Sequence, residues 1–261
     1  RAKTILSTWY FDRFIAGEWE GLSRRFADGP PPGIDVLMID DFGGFPEYPL
    51  QHGVPGGLPA IGFPEISMEG NSPWGGFGAN PRPRHWSAYW DKARHLLEGS
   101  FPYSEGIYED VNKVLILQFE WSPERPAEDI LREYARGYFG AATAEVVADV
   151  MQRLEDDGAL QATAGPDGPT FKTGTLDHAP SCLADLDRLA AALPQTVRES
   201  WRWRLLWLRA AITAELRQTG GAMSDRLDGF FEELTAIYHA DQAERPVCPP
   251  SRRAWQRLGL R

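Results

Sequence analysis

Ile34-Asp35-Val36-Leu37-Met38-Ile39-Asp40-Asp41 and Ala60-Ile61-Gly62-Phe63-Pro64-Glu65 are two short, nearly unbroken apolar runs that each stop at carboxylates. Runs of this length without polar alternation are the pattern of strands covered on both faces, as in a parallel α/β sheet. Chemistry in a parallel α/β barrel sits where the strands end. Two acids at neighbouring strand ends are what hydrolysis of a sugar bond requires. Taken singly, an acid after a strand is commonly a helix cap or a solvated loop residue. The functional reading therefore rests on the set of strand ends.

Working outward, Thr4 to Trp9 reads as a strand that ends near Tyr10, Phe11 and Asp12. Glu18 to Phe26 reads as a short helix, with Trp19, Leu22 and Phe26 at three- and four-residue spacing. A Gly-Pro-Pro-Pro-Gly turn at Gly29–Gly33 leads into the strand Ile34–Ile39. A long Gly/Pro/aromatic loop from Asp40 to Leu58 precedes the strand Pro59–Ile66. A second loop of this kind, Ser67–Pro83, holds Trp74. A helix over Arg84–Leu97 carries Trp86, Tyr89, Trp90, Ala93 and Leu97 on one stripe, and Gly99–Ser104 is a short last strand. Long, charge-poor, aromatic loops at one end of such a sheet are usually functional.

From Gly106 the pattern turns helical. Ile107, Val111, Val114, Leu115 and Gln118 keep helical spacing, so Gly106–Trp121 is read as helix despite its strand-like Val114–Leu117. Helices follow over Pro126–Tyr138, Ala142–Asp157, Leu183–Leu193, Gln195–Thr219 and Ser224–Ala243, with a polar loop between Gly158 and Ser181. The expected architecture is α/β: residues 1–125 form the last four β/α units of a (β/α)₈ barrel, and residues 126–261 an all-helical domain.

Composition narrows the function. The chain has 261 residues, 43% hydrophobic and 25% charged, with a formal net charge of −10. That balance builds a globular core and argues against nucleic-acid or anionic-membrane partners, which need a basic face. No stretch approaches the ~18 apolar residues of a membrane span. The five histidines are scattered without metal-ligand spacing, so neither a metal nor another cofactor is expected. Cys182 and Cys248 are compatible with one disulfide but do not imply it, and they are read as two free thiols. The chain opens Arg1-Ala2-Lys3 rather than with Met. An upstream extension carrying the other half of the barrel is therefore expected, and localisation is left unread.

Asn112-Lys-Val-Leu-Ile-Leu-Gln-Phe-Glu-Trp-Ser-Pro123, then Pro126-Ala-Glu-Asp-Ile-Leu-Arg-Glu-Tyr-Ala-Arg-Gly-Tyr-Phe-Gly140, resembles the segment that closes the barrel in α-glucuronidases of glycoside hydrolase family 67. There too a helix ending in a Trp-x-Pro turn precedes a helical C-terminal domain. The resemblance implies a barrel strand ending at a catalytic Asp and a next strand carrying a catalytic Glu. Asp40 or Asp41, and then Glu65, fall in those places. The family's general acid lies on a strand before Thr4, so the resemblance assigns it to no residue here. Glu105 is the candidate within the chain. Glu65 and Asp41 are read as the base side and Asp40 as an orienting neighbour; two adjacent strand residues face opposite ways, so only one aspartate points directly into the site. Trp9, Tyr48, Trp74 and Tyr103 are the candidate sugar-binding rings. The leading reading is a glycoside hydrolase acting on a poly- or oligosaccharide of plant or microbial origin. The alternatives are a non-catalytic carbohydrate-binding relic of such a barrel and a structural helical scaffold.

Overall fold

The structure, a computed structural model, describes residues 2–41, 44–67, 80–104, 110–157, 160–163, 170–237 and 251–252. In chain order its elements are β1 (Ile5–Ser7), α1 (Glu18–Arg25), β2 (Val36–Asp41), α2 (Glu47–His52), β3 (Ala60–Ser67), α3 (Pro83–Ala93), β4 (Tyr103–Ser104) and α4 (Val111–Trp121). Then come α5 (Ala127–Phe139), α6 (Ala144–Asp156), β5 (Leu160–Thr163), β6 (Thr170–Thr173), α7 (Ala179–Ala190), α8 (Gln195–Arg198), α9 (Trp201–Thr219) and α10 (Asp225–Ile237). Two compact units result. One is Arg1–Ile66, His85–Tyr103 and Ile116–Arg125; the other is Ser67–Arg84, Ser104–Leu115 and Pro126–Arg261.

The first unit is built on a sheet of order β1-β2-β3-β4 that curls as a parallel half-barrel. β1 runs parallel to β2, with Ile5 opposite Val36, and β2 parallel to β3, with Leu37 opposite Ala60. Leu37 and Ile39 are fully buried, as the unbroken apolar run predicts. β2 begins and ends two residues later than its apolar pattern, because Asp40 and Asp41 still pair with Phe63 and Pro64. The carboxylates thus lie in the ladder rather than after it, and Glu65 likewise lies inside β3.

The fourth strand is short for a reason visible in β3. Gly62 N–H donates to the Gly99 carbonyl and its own carbonyl accepts from Phe101 N–H, at 2.9 and 2.7 Å. The next backbone nitrogen facing that side belongs to Pro64, which has no proton to give. Parallel pairing on this side is accordingly a single bridge, Gly62 to Ser100, before the two residues of β4. The loop expected over Asp40–Leu58 contains a helix, α2, and a 3₁₀ turn at Pro55–Gly57.

In the second unit α9 is buried nearly all round. Leu205, Leu208, Ile212 and Leu216 form a core with Leu227, Phe231 and Leu234 of α10 and with Phe171. The expected all-helical character is corrected here: β5 and β6 pair as an antiparallel ribbon, Leu160 opposite Thr173. The expected single helix Gln195–Thr219 is two. Ser200 is extended and its hydroxyl accepts Trp203 N–H at 3.4 Å, which starts α9 afresh. Ser224 caps α10 as read, accepting Leu227 N–H at 3.0 Å. Cys182 is a buried free thiol, pushed up to about 12 mainly by burial. Among the described residues no helix is long and apolar enough to cross a membrane.

Candidate active site

The pleat decides which acids can meet. Paired residues of parallel strands share a face and successive residues alternate. Asp40 is opposite Phe63, so Asp40, Phe63 and Glu65 lie on one face of the sheet. Asp41 is opposite Pro64 and shares the other face with Ile39 and Gly62. That second face is the one covered by helix. A Cβ at Gly62 would sit 3.1 Å from the Tyr89 hydroxyl of α3 and 3.1 Å from Leu97. The register therefore puts Asp40, not Asp41, beside Glu65, at a Cα separation of about 8 Å set by strand spacing and rise.

All three carboxylates are buried. The Asp40 carboxyl is raised above its ordinary value, chiefly by burial. Hydrogen bonds from the backbone of Tyr10 and Asp41 and the charge of Arg13 pull it partly back. Tyr10 N–H donates to Asp40 Oδ2 at 3.2 Å, and the Asp40 N–H donates to Thr8 Oγ1 at 3.3 Å. The end of β1 is in this way tied onto the end of β2.

Rings line the Asp40–Glu65 face. Trp9 and Tyr103 flank Phe63, with centroids 5.9 and 5.4 Å from it, and Phe101 stacks on Phe63 at 5.9 Å. Trp9 is 47% and Phe101 63% exposed, so flat faces remain open to a ligand. Tyr10 and Phe14 extend the row, with Arg13 over both rings. Tyr48 is elsewhere: its ring stacks on Trp19 of α1 at 6.0 Å, a packing contact. Trp74 and Glu105 lie outside the described residues, as does Cys248. Phe63, Phe101, Tyr10 and Arg13 were not singled out by the sequence. The alternation of β3 marks Phe63 once its register is known, whereas Tyr10 is marked only by its place at the end of the first strand.

Behind the sheet lies a second polar group. The Tyr89 hydroxyl is buried and has no hydrogen-bond partner among the described residues. Burial, with the charges of Asp41, Glu120 and Asp40, holds its ionisation well above the usual tyrosine range. Glu120 accepts the Ser100 hydroxyl and is itself raised, mainly by burial.

No family model matches the chain, and no curated protein matches its sequence. A solved structure matches its fold: "A novel family GH115 4-O-Methyl-alpha-glucuronidase, BtGH115A, with specificity for decorated arabinogalactans". The match has a TM-score of 0.57 at 13% identity and covers 98% of this chain and 37% of that one. At this identity the likeness is one of fold. The chain shares the α/β fold of that structure and spans little more than a third of its length.

Proposed function

We propose that this chain carries the site of an O-glycosyl hydrolase, resembling the α-glucuronidases, that cleaves a glycosidic bond in a plant or microbial poly- or oligosaccharide. The observation that supports this most is the shared sheet face of Asp40 and Glu65, bordered by Trp9, Phe63 and Tyr103. An oxocarbenium-like transition state needs one carboxyl to protonate the leaving oxygen and another to attack or to activate water. Asp40, raised by burial, is the member suited to hold the proton. Glu65 takes the base side. Asp41, on the helix-covered face, acts on the site only through its surroundings, and Glu105 remains the second candidate acid. Trp9 and Tyr103 offer ring faces for stacking on the sugar.

The family 67 resemblance, a boundary near residue 125 and an upstream segment completing the barrel belong to the same proposal. The backbone of β1 supports the last. Val36 N–H bonds to the Thr4 carbonyl and Thr8 N–H to the Met38 carbonyl, so the N–H and C=O groups of Ile5 and Ser7 face away from the sheet, ready for another strand. The test is Glu65→Gln in the full-length protein. The amide keeps size and hydrogen bonding but cannot act as base or nucleophile. Hydrolysis of aryl glycosides should fall ~10²–10⁴-fold with the melting temperature preserved. Near-normal turnover would remove Glu65 from the chemistry.

A further inference from the structure

We propose that the turn from Thr8 to Glu18 is a positioning device for the Asp40 carboxylate, an inference that rests on the glycosidase reading for its purpose but not for its test. Tyr10 and Asp12 have φ of 63° and 59°, in the left-handed region, and neither is glycine. Such backbone persists only where surrounding bonds over-determine it, and it concentrates at working sites. Here the bonds are explicit. Phe11 N–H donates to the Thr8 carbonyl and Arg13 N–H to the Tyr10 carbonyl, both at 3.0 Å. Asp12 and Glu18 close a reciprocal ring: Asp12 N–H donates to Glu18 Oε2 at 3.0 Å, and Glu18 N–H to Asp12 Oδ1 at 2.7 Å.

The turned backbone aims Tyr10 N–H at Asp40 Oδ2. Asp40 Oδ1 stays buried with no hydrogen-bond partner among the described residues. One oxygen is thus tethered, which fixes the plane of the carboxyl, and the other is left for a reacting group. Tyr10, through its main chain, and Asp12 and Glu18, through the ring, are positioning residues. Because the tether donates to the charged form, it also opposes the rise that burial imposes on Asp40. On its own face of the sheet that carboxyl has Arg13 of the turn and Glu65 of β3 for charged neighbours, while Asp41, next to it on β2, and Tyr89 of α3 lie on the helix-covered face.

The experiment is a titration of the Asp40 carboxyl by carbon-13 NMR of aspartate-labelled protein, with the resonance assigned by its loss in Asp40→Asn. Asp12 is exposed, so Asp12→Ala cuts the ring without opening the core. Its expected result is a rise of about one pH unit in the Asp40 midpoint, the size of a lost hydrogen bond to a charged group. Glu18→Ala, cutting the same ring from the other side, should give the same rise. Asp12→Asn keeps the acceptor and tolerates the left-handed backbone, so it should titrate like the parent. An unchanged midpoint in the two alanine variants, or an equal rise in Asp12→Asn, overturns the proposal. Turnover reports separately: a parent protein that cleaves no glycoside sinks the glycosidase reading while leaving the titration result standing.

Discussion

At Asp40 the proposed chemistry and stability pull against each other. Its folded value lies above its unfolded one, mainly because burial penalises the charge. The sign follows directly. Only well below the ordinary aspartate value of about 3.9 is the group protonated in both states, and there it imposes nothing. As pH rises through the folded value, the ionised carboxylate costs stability, and the cost is constant above it. Asp40→Asn removes that cost and still offers an oxygen to Tyr10 N–H. The variant should therefore melt at a higher temperature than the parent at pH 7, with the gain shrinking as the pH falls to 4. Paired thermal melts at the two pH values check this; an equal gain at both would assign the effect to packing rather than charge. Such gains are typical where function places a strained or ill-solvated group. The sequence shows Asp40, Asp41 and Glu65 as candidates. It does not show which aspartate joins Glu65, because that depends on pairing with a second strand, Asp40 to Phe63 and Asp41 to Pro64.

The elements that were legible are those whose pattern is internal to them. β2 and β3 announce themselves as apolar runs, and α4 by its spacing, although Val114–Leu117 alone would suit a strand. Those that were not legible owe their form to distant partners. β5 and β6 lie in a polar stretch, and β6 is held by Phe171 N–H donating to the Gly221 carbonyl at 2.8 Å. The Phe171 ring then packs against Phe231, 5.4 Å between centroids. Gly221 itself has φ of +86°, and a Cβ there would lie 2.1 Å from the Phe171 carbonyl oxygen. Relief would require moving backbone rather than a side-chain tip. Gly221→Ala should thus destabilise the protein by about 2–4 kcal/mol, combining strain with loss of the ribbon's anchor. Urea denaturation measures it, and a loss under ~0.5 kcal/mol, the range of an ordinary surface change, would show that the ribbon is not held here.

A half-barrel whose outer strands, β1 and β4, pair with no further strand among the described residues has a consequence for how the protein behaves in solution. Ile5 is 52% exposed on the free side of β1, and Phe101, beside the last strand, is 63% exposed. Leu117 and Trp121, one helical turn apart on α4, are 49% and 87% exposed. An open strand with apolar neighbours is a template for pairing with another chain. The formal charge of −10 opposes association, but only at long range, and salt near 0.1 M screens it beyond ~10 Å. Edge pairing acts at contact distance and is not screened. The isolated chain should accordingly self-associate, and more so as salt is raised from low to physiological strength. Ile5→Lys places a charge on the open strand, the device by which natural edges are protected, and should restore a larger monomer fraction in sedimentation velocity at the same salt. Coexpression with a segment supplying the remaining β/α units should do the same without any substitution. A chain that is monodisperse alone at physiological salt and unfolds cooperatively would mean that these edges need no covering, and the proposal of an upstream half-barrel would fall with them.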